Sequence, residues 1–119
     1  MAEKHDYGRE SEALAASYLR RRGHKVLERN FRGRHGEIDI ITLEHGRTLV
    51  FCEVRARHSD EFIHPLETIG PAKQQHVRKT AEVFLYRHPE YTNRECRFDV
   101  VTVVGEGKAA VLTHFKNAF

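Results

Sequence analysis

Three carboxylates and two arginines fall in two short apolar segments, Gly36-Glu37-Ile38-Asp39-Ile40 and Phe51-Cys52-Glu53-Val54-Arg55-Ala56-Arg57. Neighbouring carboxylates oppose each other's ionisation, so acids brought together in apolar strands need compensation. A divalent ion that prefers oxygen ligands, Mg²⁺ or Mn²⁺, supplies it. The arginines could supply it instead, as an ion-pair network without a metal, and both readings stay open at this point. Alternation along a strand puts Glu37 and Asp39 on one face and Ile38 and Ile40 on the other. It likewise groups Glu53, Arg55 and Arg57 opposite Cys52, Val54 and Ala56. If the two strands pair through a turn at Glu44 to Arg47, Asp39 and Glu53 come together.

The elements that must position these groups are legible from periodicity. Tyr7 to Arg22 repeats apolar residues at three and four steps, which predicts a helix with Asp6 as N-cap and Gly23 ending it. Strands are expected over His24 to Phe31, Glu37 to Leu43 and Thr48 to Arg55. His58 to Gly70 reads as a long polar loop, with His58 and His64 flanking it and near enough to touch a substrate. Pro71 opens a second helix to about His88, with Val77, Ala81, Phe84 and Leu85 as its stripe. Arg97 to Val104 and Ala109 to Phe115 are the last strands, around a turn at Gly105 to Gly107. The hairpins make the first three strands antiparallel, and the second helix allows a parallel crossover.

A chain of 119 residues fits one domain spanning 1–119. Its apolar runs are far shorter than the roughly 20 residues of a membrane helix, and the polar start has no signal-peptide core, so a cytoplasmic protein with no membrane role is expected. Cys52 and Cys96 read as reduced thiols, and the nine histidines lack the helical pair spacing of zinc sites. The net charge of +3 is mild. Its clustering says more: Arg20 to Arg22, then Arg29, Arg32 and Arg34, then Arg55 and Arg57 bracket the acids, as suits an anionic polymer. Asp99, sharing a face with Arg97, reads as the partner of an arginine.

An acidic residue on one strand followed by Glu-X-Lys on the next resembles the PD-(D/E)XK restriction-endonuclease-like superfamily. Gly8-Arg9-Glu10, Gly36-Glu37-Ile38-Asp39, the segment from Phe51 to Arg57, Lys73 and Arg97-Phe98-Asp99 occur in the order seen in the YraN-like family of uncharacterised predicted endonucleases. That family in turn resembles archaeal Holliday-junction resolvases, and the likeness runs from about Tyr7 to Val104. It implies an α/β, restriction-endonuclease-like three-layer fold: a mixed five-stranded sheet with a helix on each side, in the order α-β-β-β-α-β-β. It also implies Asp39, Glu53 and the Val54 carbonyl as ligands of Mg²⁺ or Mn²⁺, with Glu10 approaching from the first helix and Glu37 in support. Dimerisation, common among resolvase-like proteins, is implied by analogy alone.

The motif lysine falls at Arg55. A guanidinium grips phosphate oxygens in a bidentate manner but does not accept a proton from water. Lys73, four residues before Val77 on the second helix, is the candidate substitute cation. Arg34, Arg57 and Gln74 are candidates for contact with nucleic acid. Two functions follow: a metal-dependent endonuclease cutting DNA, branched DNA included, or a nucleic-acid-binding module that keeps the nuclease fold without the chemistry. A third, an assembly role with merely solubilising arginines, would show no salt-sensitive nucleic-acid binding.

Overall fold

In the computed structural model, which describes residues 2–57 and 69–119, α1 (Ala2–Arg21) leads into β1 (His24–Gly33), β2 (Gly36–Glu44) and β3 (Thr48–Arg57). Then come α2 (Pro71–Arg87), β4 (Glu95–Val104) and β5 (Val111–Phe115), with short 3-10 turns at Pro89–Tyr91 and Gly107–Ala109. Among the described residues the strands form one sheet in the order β1-β2-β3-β4-β5. β3 and β4 run parallel and every other neighbouring pair is antiparallel. This is the mixed five-stranded sheet and α-β-β-β-α-β-β order expected, with the parallel step at the connection that carries α2.

Each helix covers one face. Ala15, Ala16 and Leu19 of α1 pack on Ile40, Val50, Cys52, Val101 and Val103. Val77, Ala81 and Phe84 of α2 pack on Ile41, Leu49 and Phe51, with Phe31 edge-on to Phe84. Small residues on α1 let that helix approach closely, while on the α2 side Phe84 meets rings from the sheet, Phe31 and Phe51. Several boundaries shift. α1 begins at Ala2, so Asp6 lies within the helix and does not cap it. The strands run longer than read, β1 to Gly33 in antiparallel pairing with β2 and β3 to Arg57 in parallel pairing with β4, because the backbone of polar residues still needs partners. The last strand starts at Val111, since Gly107–Ala109 turns. His58 and His64 lie outside the described residues.

One departure matters for the site. Ile38 and Ile40 should share a face, yet Ile38 packs in the α2 cluster and Ile40 in the α1 cluster. Their partners on β1 switch likewise: Phe31, opposite Ile38, joins Phe84, whereas Arg29, opposite Ile40, reaches Glu12 of α1 at 4.0 Å. Between them Asn30 sits at φ 54, a left-handed conformation that asparagine tolerates. The hairpin therefore twists sharply at Asp39, and that residue is addressed from both faces of the sheet.

Candidate active site where the β2–β3 pairing ends

Regular pairing of β2 with β3 ends at Ile40 and Cys52. One step further, side chains replace the ladder. The Asp39 N–H donates to Glu53 Oε2 at 3.3 Å, and the Val54 N–H donates to Asp39 Oδ2 at 2.8 Å. Each carboxylate is thus held by the backbone of the opposite strand, which fixes both in place. Lys73, in the first turn of α2, reaches Glu53 Oε1 at 3.3 Å.

Glu53 is only 1% exposed, the most deeply buried carboxylate of this cluster. Burial, then repulsion from Asp39, push its carboxyl up to about 7, against the pull of Lys73 and Arg55. Burial likewise raises Asp39, against the Val54 N–H and Arg55. Two acids that resist ionisation side by side are costly to keep as a merely structural feature. Ion-pairing with cations lowers the cost without removing it.

The remaining sequence candidates divide. Arg55 is half-buried and close enough to favour the charged form of both acids, and its Nε is buried with no hydrogen-bond partner among the described residues. Val54 has its N–H engaged by Asp39, which leaves its carbonyl as the group it could offer. Arg57 is half-buried, and its carbonyl accepts from Tyr7 Oη at 2.6 Å and the Gly105 N–H at 2.9 Å. Gln74 Nε2 donates to the Ile69 carbonyl at 2.9 Å, so it closes the entry to α2. Arg34 is exposed on the β1–β2 turn, and nearby Glu37 accepts from Arg32 Nε at 3.0 Å.

Glu10 is exposed, and the acid that α1 presents to the site is Glu12. The Glu12 carboxyl is half-buried and raised by burial and then by repulsion from Asp39, with Asn30 and Arg29 opposing. The cause is helix geometry. At about 100° per residue, positions 10 and 12 point some 200° apart. Glu12 stands at i, i+3, i+4 and i+7 with Ala15, Ala16 and Leu19, the stripe that meets the sheet. The sequence contained that signal, but a stripe of two alanines and one leucine is a weak one.

Sequence comparison decides the relationship. The sequence model of the uncharacterised protein family UPF0102 matches residues 11–103. The chain belongs to UPF0102. This is the family of the YraN-like proteins that the ordered motifs resemble. A UPF0102 protein of Stutzerimonas stutzeri is 41% identical over 119 residues, covering 100% of this chain and 98% of its own. One from Chlorobium phaeobacteroides is 40% identical over 121 residues, covering 97% of this chain and 94% of its own. One from Persephonella marina is 40% identical over 112 residues, covering 94% and 91% respectively. The UPF0102 match begins at Ser11, so it takes in Glu12, Asp39, Glu53, Arg55, Lys73 and Asp99 and leaves Glu10 just outside.

Do the residues present suit a metal? Among the described residues, no three His, Cys, Asp or Glu side chains converge as a ready-made cage. The donors at hand are two fixed carboxylates and a backbone carbonyl, all oxygen. That set suits Mg²⁺, which keeps several waters and takes only one or two carboxylates from the protein. The raised carboxyls add a further fit, since a cation relieves the repulsion that lifts them. No helix among the described residues is long and apolar enough to cross a membrane.

Proposed function

We propose that this UPF0102 chain is a metal-dependent endonuclease that hydrolyses phosphodiester bonds of DNA, branched DNA included. The observation that carries this reading is the cross-strand hold on Asp39 and Glu53, two mutually repelling acids fixed by the backbone N–H groups of Val54 and Asp39 where the β2–β3 pairing ends. Asp39, Glu53 and the Val54 carbonyl would hold Mg²⁺ or Mn²⁺. Bound there, the ion supplies Lewis-acid stabilisation of the phosphate and a more acidic water. In the reaction a water oxygen joins phosphorus and one P–O ester bond breaks, leaving a phosphate monoester and a hydroxyl.

The chain's own groups supply the rest. Arg55, whose charge already acts on both acids, would place positive charge beside a phosphate oxygen, where negative charge grows in the transition state. Lys73 balances Glu53 until a cation or phosphate arrives, then becomes a second positive charge beside the reacting centre. Glu12 faces Asp39 from α1 and adds an acceptor on the opposite side. The alternative, a nucleic-acid-binding module without the chemistry, is favoured by one observation: an arginine stands where the motif has lysine.

A Mn²⁺ titration followed by NMR tests the metal reading without any guess at the substrate. Paramagnetic broadening should centre on Glu12, Asp39 and Glu53; diffuse broadening, or none, overturns it. Affinity should also fall on acidification. Metal binding needs ionised carboxylates, so with Glu53 at about 7 the apparent affinity should drop by up to about tenfold per pH unit below that value. The sign for stability runs the other way from a stabilising carboxylate. Without metal, the folded chain keeps a proton that the unfolded chain releases from pH 4.5, so stability falls as pH climbs from there to about 7. Added Mg²⁺ should therefore raise the melting temperature more at pH 8 than at pH 5.

Arg55→Lys separates the two functions. In an endonuclease limited by arginine, it should raise Mg²⁺-dependent cleavage by about 10²-fold, the lower end of the range for an added proton acceptor. Unchanged rates across metal concentrations would show that arginine does not limit the chemistry.

A further inference from the structure

A second polar cavity, of about 600 Å³, lies at the other end of α1. Three separate segments build it: Arg21, Arg22 and His24 where α1 leads into β1, Glu44 and His45 at the β2–β3 turn, and His114 and Lys116 at the end of β5. Its wall is made by a close approach that only glycine permits. Gly23 is at φ +90, and a Cβ there would stand 2.2 Å from His45 Cε1. The His45 N–H donates to the Gly23 carbonyl at 2.9 Å, which holds the turn against the end of α1.

The acids here are already paired, Asp99 buried and outside the lining, Glu44 in the cavity wall. Asp99 accepts from Arg97 Nε and Nη2, from His114 Nε2 and from the Asn117 N–H. Glu44 accepts from Arg97 Nη1 at 2.8 Å and Lys116 Nζ at 3.2 Å. Arg97's hydrogen bond holds Glu44, against burial and with help from Lys116, at about 2. Arg21 and Arg22 add positive charge that meets no carboxylate among the described residues; Arg22 lies over the Tyr18 ring at 4.3 Å. One such charge suffices to offset the negative end of a helix. The cluster provides three, counting Arg20, and two of them line a recess.

We propose that this cavity is a second anchoring site, which takes a phosphate group of the nucleic-acid backbone on Arg21, Arg22 and Lys116. The proposal rests on nucleic acid being the partner of the Asp39–Glu53 site. Glu12 and Arg22 are ten residues apart, about 15 Å at the helical rise and only about 80° apart around the axis of α1, so a duplex lying along that flank can meet both. Such an anchor would orient the substrate along α1 without reading its sequence, since backbone contacts position and base contacts specify.

The test is binding of a short DNA duplex in EDTA, by fluorescence anisotropy over a range of salt, with backbone amides followed by NMR. Amide shifts at Arg22, Gly23, His45 and Lys116 are expected. The slope of log K against log salt should lose about one unit in Arg21→Ala/Arg22→Ala, and also in Lys116→Gln. Arg21 and Arg22 are exposed, so the double variant keeps its core, and Lys116→Gln provides an independent readout. An unchanged slope with silent amides overturns the proposal, as does a duplex that does not bind. Inorganic phosphate shifting these amides while the duplex leaves them unmoved would assign the site to a small free anion and overturn the nucleic-acid assignment. Mn²⁺ broadening at Asp39 is measured separately: its absence with a reduced slope would remove the metal reading and leave this one standing.

Discussion

Replacing Asp39 by alanine should abolish Mn²⁺ broadening at Glu53 and cut Mg²⁺-dependent DNA cleavage by at least about 10²- to 10³-fold, the range lost when one fixed electrostatic partner of a reaction is removed. Alanine also strips the Val54 N–H of its acceptor, which costs about 1–3 kcal/mol if the amide stays buried. Asp39→Asn separates the two effects, because an amide oxygen can still accept from Val54 while carrying no charge. Both variants should lose metal binding, and only the alanine variant should lose stability. The asparagine variant should also bring the Glu53 carboxyl down, since repulsion from Asp39 is the largest contribution after burial. Metal binding that survives Asp39→Asn at wild-type affinity would remove Asp39 from the ligand set.

The largest stability effect is expected at Asp99. Asp99→Ala should cost about 3–5 kcal/mol, because it leaves the Arg97 guanidinium largely buried without its main partner. Urea unfolding would show the loss as a lower midpoint at constant slope, and a change under about 1 kcal/mol would mean that the network merely offsets its own desolvation. Acid should act on the same group. Burial alone would raise the Asp99 carboxyl, but hydrogen bonds from His114, Arg97 and the Asn117 N–H outweigh it and hold it at about 2. Its contribution is complete above the ordinary value of 3.8 and is lost as pH falls toward 2, so the alanine variant should lose less on acidification.

The acid clusters at the two ends of the α1 face thus carry opposite signs. Asp99 and Glu44 are pulled down by cations that meet them in direct hydrogen bonds. Asp39 and Glu53 are pushed up, and Lys73 makes a direct ion pair with only one of them, Glu53. The first pattern is that of a group spent on stability. The second is that of a group left wanting a cation, which is why the proposed chemistry is placed there.

Much of this was readable along the chain. Alternation and turn residues determined the hairpins, the four-residue steps determined α2, and Arg97 beside Asp99 already announced an ion pair two residues apart on one strand face. These are local signals, and neighbours in sequence stay neighbours in the fold. The pairing of Asp39 with Glu53 was likewise within reach, because a hairpin register follows from its turn. The face switch at Asn30 was not, because side-chain alternation assumes a regular strand and gives no warning of a left-handed residue. Choosing Glu12 over Glu10 required knowing which stripe of α1 meets the sheet, and an alanine-rich stripe is a weak signal. Lys73 was legible as a cation on the sheet-facing stripe of α2, and it does reach Glu53; the basic recess built from three distant segments was decided by tertiary structure alone. Such segments meet only once the sheet has formed, and no periodicity in the sequence records where they land.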